Sequence, residues 1–108
     1  MIKPSKVKFI SEKLQNNFNS LSDDDPIKKS IKRAIKDLQD NAFFGIQFPK
    51  KLIPKAYIQK YEITNLWKYD LPDGWRLVYS IITPNKVEIL AVILEWFDHK
   101  NYERKFKY

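Results

Sequence analysis

The sequence predicts an α+β domain of two layers, with two N-terminal helices packed on a mainly antiparallel, twisted four-stranded sheet and a short C-terminal helix after it. Three observations predict this class. The first half carries apolar residues at the helical period, and the second half alternates like a β-hairpin followed by a long apolar strand. A chain of 108 residues suffices for one core. We therefore take residues 1–108 as a single domain.

Composition limits the classes of function. The chain is 44% hydrophobic and 15% aromatic, which predicts a folded core although 31% of residues are charged. It has no cysteine, which excludes disulfides, thiolate metal sites and a cysteine nucleophile. We expect no cofactor and no metal, because the carboxylate pair Glu95 and Asp98 alone is a weak metal signal.

The positive charge lies in the first half of the chain. Residues 1–60 hold 13 Lys/Arg against 6 Asp/Glu, whereas residues 61–108 hold 7 against 7, for a net charge of +7. Such an excess favours association with a polyanion or an acidic protein. The N-terminus, MIKPSKVKFISEK, lacks the apolar stretch of a signal peptide, and the longest apolar run, 89–94, is too short to cross a bilayer. We expect a cytoplasmic protein without membrane contact.

The first elements are a strand and two helices. The strand covers residues 6–10, and Ser11 is expected to cap the first helix, whose apolar face holds Leu14, Phe18 and Leu21. Pro26 suits the first position of the second helix, which Asn41 and Gly45 end. Its apolar stripe is formed by Ile27, Ile31, Ala34, Ile35 and Leu38.

Basic residues fill the rest of the second helix, namely Lys28, Lys29, Lys32, Arg33 and Lys36. A solvated helix face and a surface for RNA or an acidic partner both fit this pattern. Residues 46–63 are less regular because Pro49 and Pro54 interrupt them, and Pro54 is expected to start one helical turn in which Tyr57, Ile58 and Tyr61 face the core.

The second half predicts a hairpin. Asn65, Trp67, Tyr69 and Leu71 fall on one face of its first strand, and Trp75, Leu77, Tyr79 and Ile81 on one face of its second, with a Leu-Pro-Asp-Gly turn between them. Lys68 and Arg76 should then project together from the opposite, partly open face. A second turn at 83–86, a central strand at 87–96 and a terminal helix from Asp98 follow.

Two stretches resemble the RelE/ParE superfamily of toxin–antitoxin toxins, in particular its archaeal-type RelE-like members. LWKYDLPDGWRLVYSI resembles the family's basic strand, glycine-containing turn and aromatic-Arg-Leu-Val-Tyr strand. ILEWFDHKNYERKFKY resembles the apolar strand that runs into a cluster of His, Lys, Arg and Tyr. The specific signal covers about the last 45 residues, and the order of helices and strands agrees over nearly the whole chain.

The resemblance implies a ribosome-dependent mRNA endoribonuclease that works without a metal and is neutralised by a cognate antitoxin protein. Arg76 corresponds to the arginine that stabilises the scissile phosphate, and Lys68 to the first of two strand lysines. Asp70 stands at the second lysine position, which removes one positive charge. His99 and Lys100 match the His/Lys-Arg pair, and Phe106 falls near the terminal tyrosine, so Tyr102 or Tyr108 would have to supply the phenol. We expect the toxin alone to be a monomer.

These residue types suit RNA cleavage by attack of the 2′-hydroxyl. A free histidine has a pKa of about 6.5, which makes His99 the expected acid or base. Arginine binds two phosphate oxygens at once, so Arg76 is assigned to the phosphate with Lys68 assisting. Tyr102 is expected to orient or stack on a base. Lys100, Arg104 and the basic residues of the second helix are the expected RNA contacts.

Each assignment has a structural alternative. His99 and Lys68 also suit a solvated surface, Arg76 suits an ion pair with Asp70 or Glu88, and the three tryptophans suit the core better than a nucleotide platform. Two other functions remain open. One is a non-catalytic binding module of the same fold for RNA or an acidic protein, and the other is a ParE-like gyrase inhibitor.

Overall fold

The structure, a computed structural model, describes residues 4–85 and 87–106. Its helices are α1 (Glu12–Ser20), α2 (Pro26–Asp40), α3 (Lys55–Tyr61) and α4 (His99–Lys105). Its strands are β1 (Lys6–Phe9), β2 (Ile46–Gln47), β3 (Trp67–Asp70), β4 (Arg76–Ile82) and β5 (Leu90–Phe97). The predicted α+β class is confirmed. No helix within the two described ranges is long and apolar enough to cross a membrane.

Capping side chains start the helices where the sequence predicts. The Ser11 hydroxyl accepts a hydrogen bond from the Leu14 N–H at 3.1 Å, and the Asp25 carboxylate accepts one from the Ile27 N–H at 2.9 Å. Pro26 occupies the first turn of α2, where no N–H is needed. Asp98 caps α4 by accepting from the Asn101 N–H at 2.8 Å. These local signals therefore fix the N-termini of α1, α2 and α4.

The strands form one mixed sheet in the order β1-β5-β4-β3-β2. β1 pairs with β5 in parallel, and the other three pairings are antiparallel. The expectation of four strands is wrong because β2 adds a fifth. It has only two residues, too few for a strand to show alternation in the sequence.

Two hydrophobic cores lie on opposite faces of the sheet. On one face α1 and α2 pack over Leu77, Tyr79, Ala91 and Ile93. On the other face α3 and α4 cover Val78, Val92 and Leu94, with Tyr57, Tyr102 and Phe106 among the buried side chains. The expectation that this second face is partly open is wrong over β4 and β5, because the last helix folds back across it.

The hairpin and its flanks differ from the prediction in detail. β3 begins at Trp67 rather than Asn65, because the Asn65 side chain bonds the backbone of Ile81 through both its oxygen and its nitrogen, each at 2.8 Å. The Asn65 side chain thus makes the two hydrogen bonds to Ile81 that a backbone residue of β3 would otherwise make. β5 begins at Leu90 rather than residue 87, and Val87 is exposed. The predicted turn at 83–86 ends on a residue outside the described ranges.

One side chain in the stretch interrupted by Pro49 and Pro54 also departs from expectation. α3 forms after Pro54 as predicted and buries Tyr57, but Ile58 is 43% exposed and does not face the core. The three tryptophans are partly buried against the first core, as predicted.

Gly45 and Tyr79 join β2 to the sheet. The buried Tyr79 hydroxyl donates to the Ala42 carbonyl at 2.8 Å and accepts from the Gly45 N–H at 3.0 Å. A Cβ at residue 45 would lie 2.3 Å from the Lys68 carbonyl oxygen. Glycine is therefore required here by close approach of two backbones, in addition to its predicted place after the helix end.

Candidate functional site

Lys68 and Arg76 converge on one point of the sheet. They belong to paired strands, where Asp70 lies opposite Arg76 and Lys68 lies opposite Val78. Their side chains point to the face that bears the second core, so the Lys68 Nζ lies 5.9 Å and the Arg76 Cζ 5.2 Å from the centre of the Tyr102 ring. The prediction that the two cations project together is confirmed. Both are largely covered, with side-chain exposures of 21% and 19%.

Asp70 lies between the two cations. Its Oδ1 is 3.0 Å from Arg76 Nε and 3.4 Å from Lys68 Nζ. The Arg76 Nε–H is not aimed for a hydrogen bond, so the shorter contact is an ion pair without one. Arg76 also donates from NH1 to the carbonyl of Trp75 at 3.2 Å. The carboxylate thus lies between the two cations, and the predicted Asp70–Arg76 ion pair is present.

Tyr102 supports the cations rather than offering a free ring. It is 4% exposed, packs on Phe106 with 4.9 Å between ring centres, and presents its ring to Lys68 and Arg76. The expected stacking of Tyr102 on a base does not fit this burial, because a nucleotide has no access to the ring. Cation–π attraction over a desolvated ring instead holds both cations in position. Phe106 is a core residue, and Tyr108 lies outside the described ranges.

His99 lies at the same end of the hairpin as Arg76. Its Cβ would be 3.0 Å from a Cβ at Gly74, a residue with φ +80° two positions before Arg76. The imidazole is 59% exposed, and its Nε2 lies 2.8 Å from Glu103 Oε1. Within residues 4–85 and 87–106 no hydrogen bond joins it to Lys68 or Arg76. His99 therefore lies against the turn that precedes Arg76, with its imidazole largely exposed.

The other predicted RNA contacts fall into two groups. Lys100 and Arg104 are exposed on α4, while Lys29, Lys32, Arg33 and Lys36 are exposed on α2, across the sheet from the cation pair. Lys28 does not belong with them. It is 8% exposed, and its ammonium group donates to the Leu21 carbonyl at 3.0 Å and pairs with Asp23 at 2.9 Å. The prediction that Lys28 contacts RNA is therefore wrong, because its ammonium group bonds the connection between α1 and α2 instead of facing solvent.

A cleft at the end of β3 was not predicted. It lies between α2 and the hairpin, has a volume of about 580 Å³, and is lined in part by Lys29, Arg33, Phe44 and Tyr69. Asp70 also forms part of its wall and pairs with the two cations, which lie on the opposite face of the sheet. The only hint in the sequence is the pair of adjacent phenylalanines after a helix end, which periodicity does not assign to either layer.

Ionisable groups near these features are perturbed by burial. Burial raises the pKa of Tyr69 to about 12, helped by its hydrogen bond to Asp37. Burial also raises the pKa of Tyr79 to about 12 and raises that of Tyr57, beside Glu95. In the part of the chain that the structure describes, no three His, Asp or Glu side chains are grouped closely enough to hold a metal ion.

No family model, curated protein or solved structure matches this chain. The resemblance to RelE/ParE toxins therefore rests on the quoted residues alone, and what it implies about function is a proposal.

Proposed function

We propose that this chain is a RelE-like toxin of a toxin–antitoxin module and cleaves mRNA on the ribosome as a metal-free endoribonuclease. The observation that supports this best is the meeting of Lys68 and Arg76, from neighbouring strands, around a single carboxylate. Two cations that share one anion form a site of the right charge and size for a phosphodiester. His99, at the same end of the hairpin, adds an exposed proton carrier.

In the proposed reaction, the phosphate displaces Asp70 and takes its place between the two cations. Arg76 and Lys68 then stabilise the charge that develops on the phosphate as the 2′-hydroxyl attacks. His99 either removes the hydroxyl proton while water protonates the leaving 5′-oxygen, or protonates that oxygen while water takes the hydroxyl proton. The products are a 2′,3′-cyclic phosphate and a 5′-hydroxyl end. Tyr102 acts as a positioning residue, because it touches the cations and is closed to the nucleotide.

This function requires the translating ribosome and mRNA as partners, and hence a cytoplasmic location. The cognate antitoxin would bind through acidic segments, for which the exposed cations of α2 and α4 provide complementary charge. The chain alone is proposed to be a monomer.

The decisive experiment is expression without an antitoxin, with growth and mRNA 5′ ends followed together. We expect the natural chain to arrest growth and to create new 5′-hydroxyl ends within translated codons, and Arg76→Ala to abolish both. Loss of one such donor typically lowers a rate by about 10²–10³. Lys55→Ala is the matched control, since Lys55 is an exposed cation on α3 to which we assign no role in catalysis or RNA binding. Full toxicity in a folded Arg76→Ala variant would exclude the assignment.

One observation favours a second candidate, the non-catalytic binding module for RNA or an acidic protein. Asp70 already neutralises part of the cation pair, so the site binds an anion more weakly than two free cations would. This candidate predicts RNA binding without new 5′ ends, whether or not translation is active. Growth arrest without new mRNA ends would favour neither, and would point to a target such as gyrase.

A further inference from the structure

The cleft at the end of β3 combines an exposed aromatic ring with two cations that form no salt bridge among the described residues. Phe44 is 58% exposed, although burying such a ring would stabilise the fold. One face of the ring packs on Tyr69, with 5.6 Å between ring centres and 28° between planes. Tyr69 is itself fixed by donating its hydroxyl proton to Asp37. Phe44 is therefore a supported platform whose outer side faces solvent.

Two cations and two carboxylates line the cleft, and they differ in whether they have partners. Lys29 and Arg33 lie one helical turn apart on α2 and line the cleft, and neither forms a salt bridge with any residue in the ranges 4–85 and 87–106. The two carboxylates of the cleft are engaged, since Asp37 accepts from Tyr69 and Asp70 pairs with Lys68 and Arg76. The carboxylates that line the cleft are therefore already engaged, and its two cations are left to bind the negative charge of a ligand. A ligand here should carry negative charge and a flat apolar group.

We propose that this cleft binds one nucleotide of a single-stranded RNA, with its base stacked on the outer side of Phe44 and its phosphates held by Lys29 and Arg33. The inference rests on the proposed function in taking RNA as the ligand. The cleft has a volume of about 580 Å³, which lies within the usual range of about 300–1,000 Å³ for small-ligand sites. Stacking on aromatic side chains is the usual way in which unpaired bases are held.

The cleft and the cation pair are connected through one residue at the end of β3. Asp70 contacts Lys68 and Arg76 on one side and forms part of the cleft wall on the other. An RNA strand with its scissile phosphate at Arg76 would cross the end of β3 to reach Phe44, which lies on the α2 side of the sheet. Because an aromatic platform stacks on any base, this subsite should increase affinity with little sequence preference.

Phe43 offers a matched control. It is the neighbouring residue of the same short turn, is 43% exposed and packs edge-on against Trp67, but lines a different depression of the surface. Phe43→Leu and Phe44→Leu therefore make the same chemical change at two exposed positions. Both keep an apolar side chain, so a general loss of folding would affect them alike.

The test measures binding of a short fluorescein-labelled RNA with 2′-O-methyl groups throughout, which blocks cleavage, and of an abasic strand of equal length. We expect Phe44→Leu to weaken RNA binding by roughly 5- to 100-fold, as for loss of one stacked base. Binding of the abasic strand, and both affinities of Phe43→Leu, should stay unchanged. Replacing Lys29 and Arg33 by glutamine should weaken both strands.

Equal affinities of Phe44→Leu and the natural chain for the RNA would overturn the inference. So would a Phe44→Leu defect confined to an acidic peptide of alternating Glu and Phe, which would make the cleft a protein-binding site. Cleavage of translated mRNA on ribosomes is measured in parallel, with Arg76→Ala as the variant expected to be inactive. If cleavage is absent but Phe44→Leu still weakens binding, the nuclease proposal fails and the nucleotide site stands, whereas the reverse result removes only the nucleotide site.

Discussion

Asp70 and Arg76 lie directly opposite each other on β3 and β4, with 3.0 Å between the carboxylate Oδ1 and the guanidinium Nε. Lys68 approaches the same oxygen, so one acidic side chain is shared by two basic ones. The arrangement makes Asp70 an internal competitor for any anion that binds there.

Asp70→Asn should therefore tighten RNA binding. Removing the carboxylate frees about one positive charge, which should steepen the dependence of log affinity on log salt by about 0.7 for a single strand. Stability should fall by less than about 1 kcal/mol, because the carboxylate is half exposed. Asp73→Asn is the control, since it makes the same charge change in the adjoining turn at φ 60°, a conformation asparagine tolerates. Equal salt slopes for the two variants would contradict the competition.

Substitutions of the neighbouring residues Lys28 and Lys29 should affect different properties, namely stability and RNA binding. Lys28→Ala removes a buried charged hydrogen bond to the Leu21 carbonyl and should lower the free energy of unfolding by about 1–2 kcal/mol. Lys29→Ala should leave the urea midpoint unchanged and reduce the salt slope of RNA binding by about 0.7. If both variants unfold at the same urea concentration, the burial assigned to Lys28 is wrong.

Tyr79→Phe should loosen the attachment of β2. The change leaves the Ala42 carbonyl and the Gly45 N–H without their shared hydroxyl, at a cost of about 1–3 kcal/mol. Tyr61→Phe is the control, because no hydrogen bond to its hydroxyl is present within the described parts of the chain. Hydrogen exchange at residues 45–47 should accelerate in Tyr79→Phe alone. Unchanged exchange there would show that the strand is held by other contacts.

Alkaline pH should weaken the fold through Tyr69. Its folded-state pKa of about 12 exceeds the unfolded value of 10.0, so its contribution is complete below pH 10 and is lost as pH rises through about 12. Unfolding by urea at pH 9, 10 and 11 should show this decline, and Tyr69→Phe should reduce it. A Tyr69→Phe variant with the decline of the natural chain would mean that other groups cause it.

The sequence predicted what depends on neighbouring residues and missed what depends on distant ones. The faces of β3 and β4, the caps Ser11 and Asp25, and the shared side of Lys68 and Arg76 follow from local alternation and hydrogen bonding. The burial of Tyr102 depends on how α4 crosses the sheet, and no periodicity records that crossing.

The position of Lys28 shows the same limit. Its place in the pattern of α2 is that of a solvent-facing lysine, but the carbonyl of Leu21 at the end of α1 lies within reach and captures the ammonium group. The cleft at Phe44 likewise forms only because the 3-10 helical turn of residues 42–44 brings Phe44 against Tyr69 of β3.

The placement of Tyr102 in α4 and of Phe106 directly after it ties two properties together. Helix α4 covers the second core and also covers Lys68 and Arg76 through Tyr102, so a change in the position of α4 affects both the core and the cation pair. How exposed Lys68 and Arg76 become is thus decided by how firmly the end of the chain is seated, more than by the strands that carry them.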